Sequence, residues 1–227
     1  MAQKNTQREL LKAQKEQEAH KRTRGLLIGV FAIVAAILLI YFLPRLLNAS
    51  KVSGYANQNG RSVGDPNAPV KVVEFSNFGC SHCRTFALEK EEQFIKDYVD
   101  TGKVYFTFSV FQFNEEDETT KAAEAAYCAG EQNKFFEMHK VLFDNATFSG
   151  AFADKSVTSY AKQVGLDLDA FNQCLESDSQ LVNVRADTQN ARDLGVTGTP
   201  MFDVNGTIVY STTLEETINT ALANAGK

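Results

Sequence analysis

Two cysteines stand three positions apart in Cys80-Ser81-His82-Cys83. This spacing suits a dithiol that opens and closes as a disulfide. The residues before it, VKVVEF (70–75), are apolar and β-branched, and the residues after it carry a helical pattern. A strand therefore delivers the pair to the start of a helix. There, unpaired backbone N–H groups and the positive end of the helix dipole favour a thiolate. Only the thiolate attacks a disulfide, so Cys80 reads as the attacking thiol and Cys83 as the buried resolving thiol. His82 can add an imidazolium near the sulfur. A zinc site is the first competing use, and it needs about four ligands in tetrahedral array. The other candidates, Cys128, Cys174 and His139, are not paired at ligand spacing. An inert disulfide is the second, and the position after a strand favours redox use over it.

A second feature is GVTGTP (195–200), just ahead of a β pattern. Proline is tolerated at a strand start, and a cis Thr199–Pro200 bond would be a deliberate feature. Alone, the turn would pass as an ordinary loop proline. Cys128 and Cys174 lie within helical patterns. An even count of four cysteines in an oxidising compartment favours a second, structural disulfide between them, with two separate buried thiols as the alternative. His139, at helical spacing with Phe135, Phe136 and Leu142, reads as a packing residue.

The elements that must hold these residues follow from periodicity. Strands are expected at 70–75, 104–113, 201–204 and 207–210, the last two joined by Asn205-Gly206, a strong hairpin signal. Helices are expected at 83–99, 119–129, 134–144, 156–165, 168–177, 180–194 and 214–223, with Ser156 and Asp178 as caps. A strand, helix, strand order implies a right-handed crossover and parallel pairing.

Upstream, charge is divided. Residues 1–24 hold seven Lys/Arg against three Glu, while the whole chain of 227 residues carries −5. A basic head on an acidic body does not suggest nucleic-acid binding. Residues 25–43 run for 19 positions without a charge. At ~1.5 Å per residue this spans roughly 28 Å, close to a bilayer core. Lys21, Arg22 and Arg24 precede it and Arg45 follows. The expectation is a cytoplasmic stub (1–24), a single transmembrane signal-anchor helix (25–43) and a linker with little structure (44–69), with a cleaved signal peptide as the alternative. The remaining residues, 70–227, would be extracytoplasmic, with a helical insertion at about 115–180.

The stretches GDPNAPVKVVEFSNFGCSHCRTF (64–86), AAEAAYCAGEQNKFFEMHKVLF (122–143) and GVTGTPMFDVNG (195–206) resemble the DsbA-like thioredoxin family, particularly its membrane-anchored or lipid-anchored members. The resemblance covers residues 63–225. It implies an α/β thioredoxin fold with an inserted helical domain, here preceded by a single N-terminal transmembrane helix. It also implies that Cys80 is the nucleophile, Cys83 the resolving cysteine and Pro200 a cis-proline facing the dithiol. The Thr199 backbone would then be open to pair with an extended substrate peptide. Glu74, six residues before Cys80, matches the family's buried carboxylate, which would move protons to and from Cys83. The Ser-His interior of the dithiol and the Thr before the proline depart from the commonest oxidant pattern, and both bear on the direction of electron flow.

The resulting expectation is a thiol–disulfide oxidoreductase that introduces disulfides into cysteine-containing exported proteins. The resemblance implies reoxidation by a quinone-linked membrane partner, and the chemistry requires no metal or organic cofactor. A reductase or isomerase on the same fold is the nearest rival. A membrane-tethered binding or chaperone module with an inert disulfide is the rival from another class.

Overall fold

Among the described residues the chain forms a mixed six-stranded sheet with helices on its faces. A computed structural model describes residues 55–114 and 116–226, with Val34 alone upstream. The strands are β1 (Gln58–Asn59), β2 (Ser62–Val63), β3 (Val70–Ser76), β4 (Val104–Val110), β5 (Met201–Val204) and β6 (Thr207–Tyr210), and the sheet order is β1-β2-β4-β3-β5-β6. At its centre β3 and β4 are parallel, in register from Val70 opposite Val104 to Ser76 opposite Val110. Val70, Val72 and Phe75 of β3 and Phe106 and Phe108 of β4 are fully buried, as befits a sheet centre covered by helices. β5 runs antiparallel to β3 on its other side and places Phe202 opposite Glu74.

The crossover between β3 and β4 is α1 (Ser81–Glu89) followed by α2 (Glu91–Phe94) and a π-helical turn, Ile95–Val99. The single helix expected over 83–99 is therefore broken. Lys90 caps α1 at φ −123° and ψ −34°, off helical geometry, although its N–H still reaches Phe86 O at 2.9 Å. The break turns Glu91 inward. It is 2 % exposed, while Glu89, Lys90 and Glu92 remain outside.

Between β4 and the return to the sheet come α3 (Glu118–Glu131), α4 (Phe135–Asn145), α5 (Asp154–Gln163) and α6 (Leu168–Glu176), then α7 (Leu181–Asp193). Asp117 caps α3 by accepting from Thr119 N–H, and Asp167 caps α6 by accepting from Asp169 and Ala170 N–H. The caps expected at Ser156 and Asp178 do not form. Ala153 stands at the start of α5, and Ser156 Oγ instead donates to Gly150 O at 2.8 Å. Asp178 takes a positive φ in the turn before α7. The strand expected over 104–113 ends at Val110, because the chain beyond it leaves the sheet to join α3.

The hairpin β5–β6 forms as its sequence predicts. Asn205 and Gly206 both adopt positive φ, the pattern of a two-residue turn that matches strand twist. Asn205 Oδ1 also accepts Lys71 N–H at 2.8 Å, fastening the turn to β3. Helix α8 (Leu214–Ala225) completes the fold and buries Leu214 and Ile218.

The linker expected over 44–69 is overturned from Tyr55 onward. β2 pairs with β4, with Val63 opposite Phe106 and fully buried. Arg61 forms an ion pair with Asp187 and stacks over Tyr127. Gln58 Oε1 accepts Phe136 N–H at the start of α4. The Gly and Asn residues that suggested flexibility serve tight turns instead. Asn57, Gly60 and Gly64 take positive φ, and a Cβ at Gly64 would lie 2.7 Å from Val99 Cγ1. The stub at 1–24, the anchor at 25–43 and the linker up to 54 lie outside the described residues, Val34 excepted. Among the described residues no helix is long and apolar enough to cross a membrane.

Candidate redox site

β3 ends at Ser76, and four residues later Cys80 stands as the N-cap of α1, in extended geometry (φ −83°, ψ 122°). No side chain caps this helix, so its first N–H groups are free to face the Cys80 sulfur. Cys80 is half-buried and Cys83, one turn into α1, is fully buried; both are free thiols. The Thr199–Pro200 bond is cis, and it brings the Thr199 carbonyl oxygen to 3.3 Å from Cys80 Sγ, which donates to it. Pro200 is buried and Thr199 half-buried. The Thr199 hydroxyl is buried without a hydrogen bond, yet it is close enough to both sulfurs to favour their thiolates.

The two thiols are driven apart electrostatically. Cys80 is lowered to about 5, first by the hydrogen bond from Cys83 and then, against the opposing effect of burial, by Thr199 and by the backbone N–H groups of Cys83 and His82. Burial pushes Cys83 well up, helped by its bond to Cys80 and by the charge of Glu74. At neutral pH the arrangement holds one thiolate, on the more accessible sulfur, and one thiol beneath it. His82 was expected to contribute an imidazolium. Its side chain is exposed, and its effect on the sulfur comes through its backbone N–H.

Glu74 is fully buried on β3, and neither carboxylate oxygen has a hydrogen bond. Burial raises its pKa well above the carboxylate range, with the charges of Glu91 and Cys80 adding to the effect and the nearby Ser76 hydroxyl offsetting part of it. A carboxyl whose pKa is raised by burial and that is electrostatically linked to a buried thiol can exchange a proton with it.

Cys128 of α3 and Cys174 of α6 are bonded, with Cα atoms 5.9 Å apart. The disulfide ties two helices together through cysteines 46 positions apart in the sequence. His139 is 1 % exposed and packs among Phe78, Phe108, Phe135 and Phe143, as a packing residue should.

Three groups near the site escaped the sequence reading. Glu91 accepts from Tyr55 OH at 2.9 Å and is raised to about 8, chiefly by burial. His139 Nε2 lies 3.8 Å from Glu91 Oε2, but burial lowers His139 to about 3, so at neutral pH the two are not an ion pair. Nothing in the run Glu89-Lys90-Glu91-Glu92 marks Glu91 as the buried member, since only the helix break turns it inward. Asn77 and Gln112, both buried, bond to each other beside Cys80. The Asn-x-Gly spacing ahead of Cys80 was the available signal for Asn77, whereas Gln112 sat inside a stretch expected to be strand.

A strand that feeds a dithiol onto a helix N-terminus opposite a cis-proline, on a sheet of this topology, defines a thioredoxin-fold redox protein. Comparison with known proteins agrees. A family profile described as Thioredoxin matches residues 56–224. "Probable disulfide bond formation protein D" of Bacillus anthracis is 29 % identical over 188 residues, covering 79 % of this chain and 86 % of that protein. The solved structure of oxidised BdbD from Bacillus subtilis superposes with a TM-score of 0.62 at 21 % identity, covering 74 % of this chain and 95 % of that one. The structure of alpha-DsbA1 from Wolbachia pipientis superposes with a TM-score of 0.63 at 23 % identity, covering 77 % and 95 %. The chain belongs to the thioredoxin family, as a DsbA-like member, and is a thiol–disulfide oxidoreductase.

Proposed function

We propose that Cys80 is the nucleophile of a protein disulfide donor that acts on exported proteins. In the oxidised enzyme, a client thiolate attacks Cys80 Sγ and the Cys80–Cys83 bond breaks, leaving its electron pair on Cys83. The Cys83 thiolate takes a proton, with Glu74 as the donor. A second client thiolate then attacks the client sulfur of the mixed disulfide and expels Cys80. The client pair is oxidised to a disulfide and the enzyme pair is reduced by two electrons. The observation that carries this reading is the opposition of a lowered Cys80 thiol and a raised Cys83 thiol beneath the Thr199 carbonyl. A stable Cys80 thiolate favours the reduced form, and an enzyme that prefers to be reduced is an oxidant.

A groove of about 460 Å³ adjoins the dithiol, lined by His82, Phe86, Lys90, Thr199, Pro200 and Tyr210. Its size and mixed polarity suit an extended peptide, with the Thr199 backbone as the pairing edge. The uncharged run at 25–43 with its basic flank supports an anchor that holds this domain outside the membrane. Regeneration of the disulfide then falls to a quinone-linked membrane partner that accepts the two electrons.

The test is a Cys83→Ala variant mixed with a reduced client peptide and a mild oxidant, together with the glutathione equilibrium of the wild-type protein. Mixed disulfides through Cys80 and a potential near about −120 mV are expected. A potential near about −270 mV would make the protein a reductase in the manner of thioredoxin. Absence of adducts would favour the binding module with an inert disulfide.

A further inference from the structure

The loop that presents Cys80 is held from the far side by residues of the chain leaving β4 and of the helices that follow. Asn77 is 6 % exposed and uses all its side-chain hydrogen-bonding groups. Its Nδ2 donates to Phe111 O at 3.0 Å and to Gln112 Oε1 at 2.8 Å. Its Oδ1 accepts Gly79 N–H at 2.8 Å, and its backbone carbonyl accepts Cys80 N–H at 3.0 Å. One residue thus fixes both peptide groups that lead into the N-cap.

Gln112, fully buried, is fixed in turn. Its Oε1 also accepts Thr119 Oγ1 at 2.9 Å, and its Nε2 donates to Thr119 O at 3.1 Å. Its backbone N–H donates to Thr188 Oγ1 at 3.1 Å, and its carbonyl accepts Arg192 Nη2 at 3.2 Å. Thr119 lies in the first turn of α3, and Thr188 and Arg192 belong to α7. Every side-chain nitrogen and oxygen of Asn77 and Gln112 has a partner, which makes the network stiff and costly to break.

Gly79 sits in the narrowest part of this arrangement. A Cβ there would lie 2.8 Å from Thr119 Cγ2 and 3.2 Å from Asn77 Oδ1. The first distance is too short for carbon–carbon contact, so the loop or the Thr119 side chain, itself held by its bond to Gln112, would have to shift. Its own φ is not positive, so close approach and not backbone strain calls for glycine here.

We propose that the helices beyond β4 position the nucleophile: Asn77 clamped by Gln112, with Gly79 seated against Thr119, fixes the Cys80 sulfur over the free N–H groups of α1. Asn77, Gly79 and Gln112 are positioning residues, acting on the reaction only through Cys80. The stabilising contacts are short-range, namely the backbone N–H groups of His82 and Cys83, the Cys83 thiol and Thr199. A displacement of the loop by a few tenths of an ångström weakens them together. The proposal rests on Cys80 being the attacking thiol.

The experiment titrates the Cys80 thiolate by its ultraviolet absorbance and measures the glutathione equilibrium in the full-length chain. The wild type is compared with Gly79→Ala, with Thr119→Ser and with the two combined. Gly79→Ala should raise the Cys80 midpoint by about one unit and shift the equilibrium about tenfold toward the disulfide. Thr119→Ser removes the methyl that the new Cβ meets and keeps the hydroxyl bound to Gln112. The double variant should therefore return most of the way to the wild-type midpoint. A general loss of stability would lower the melting temperature without this reciprocal recovery. If Gly79→Ala titrates as the wild type does, or the double variant stays with the single one, the proposal is overturned. Gln112→Met, which strips Asn77 Nδ2 of one acceptor, should shift the midpoint in the same direction and supplies the test if Gly79→Ala does not fold; an unshifted midpoint there overturns the proposal equally. An ordinary thiol midpoint in the wild type would instead sink the assignment of Cys80 itself, and is read before any variant is compared.

Discussion

Cys80 and Thr199 meet through two groups of the same threonine. The Thr199 carbonyl accepts from the Cys80 thiol at 3.3 Å, while the Thr199 hydroxyl, buried and otherwise unpartnered, is available to the thiolate. One residue can therefore serve both protonation states of the sulfur. With Cys80 lowered to about 5, alkylation of the reduced protein should rise with pH around a midpoint near that value and be flat through neutrality. Cys83 should stay unmodified across the same range. The sign of the linkage follows from the lowered folded-state value. The thiolate stabilises the reduced fold fully above the unfolded thiol pKa, and this contribution declines with falling pH until it is gone below about 5. Mass spectrometry of alkylated peptides across a pH series checks the midpoint, and a midpoint near that of a free thiol would refute it.

Glu74 predicts a different pH signature. Its folded-state pKa is raised, so the neutral carboxyl is fully compatible with the fold below the unfolded carboxylate value, and stability is lost as pH rises toward the folded value. Glu74→Gln removes the ionisation and keeps the volume. It should stabilise the protein relative to wild type at neutral and alkaline pH, with the difference vanishing below about pH 4. The same variant should slow the step in which Cys83 leaves, on the order of 10²-fold where proton transfer limits it. Urea unfolding at two pH values reads the first effect, and stopped-flow reduction by a client peptide reads the second. A variant whose stability gain is independent of pH would remove Glu74 from this role.

The dithiol, the cis-proline turn and the β5–β6 hairpin were legible because each rests on local chemistry. Cys-x-x-Cys needs a helix start, Asn205-Gly206 needs positive φ, and proline accepts a strand edge. The segment 55–69 was misread for a physical reason. Glycine and asparagine signal turns as well as flexibility, and only the pairing of Val63 with Phe106 distinguishes the two. Glu91 and Gln112 were hidden because their burial depends on a helix break and a strand end set by tertiary packing. Asn77 lies between these cases, with its turn readable from spacing and its clamp visible only in three dimensions.

The Cys128–Cys174 bond closes a loop across α3–α6, far along the chain from the dithiol. A cross-link of this length removes conformational freedom from the unfolded chain and typically contributes ~2–4 kcal/mol. Replacing both cysteines by alanine should lower unfolding stability by about that amount. The Cys80–Cys83 pair should keep its reactivity, since Asn77, Gln112 and Thr199 remain in place. Urea denaturation alongside Cys80 alkylation separates the two effects. Equal stability with and without the bond would show that unfolded-state structure already supplies the constraint.

Tyr55 tests the buried carboxyl that the helix break creates. Its hydroxyl donates to Glu91 Oε1 at 2.9 Å, and its ring packs edge-on to Phe136 with centroids 5.3 Å apart. Tyr55→Phe keeps the ring and deletes the donor. While Glu91 is neutral the loss is that of an ordinary buried hydrogen bond, about 1 kcal/mol. Glu91 titrates at about 8, and above that value the deleted donor had served a buried charge, with Lys140 the other favourable influence on it. The cost should then rise to ~1.5–3 kcal/mol, the range for hydrogen bonds to charged groups. The destabilisation caused by Tyr55→Phe should accordingly grow as pH passes from about 6 to about 9, the reverse of the trend at Glu74→Gln. Chemical denaturation of the variant and the wild type at both pH values provides the comparison, and a cost that does not change with pH would mean that Glu91 keeps its proton throughout.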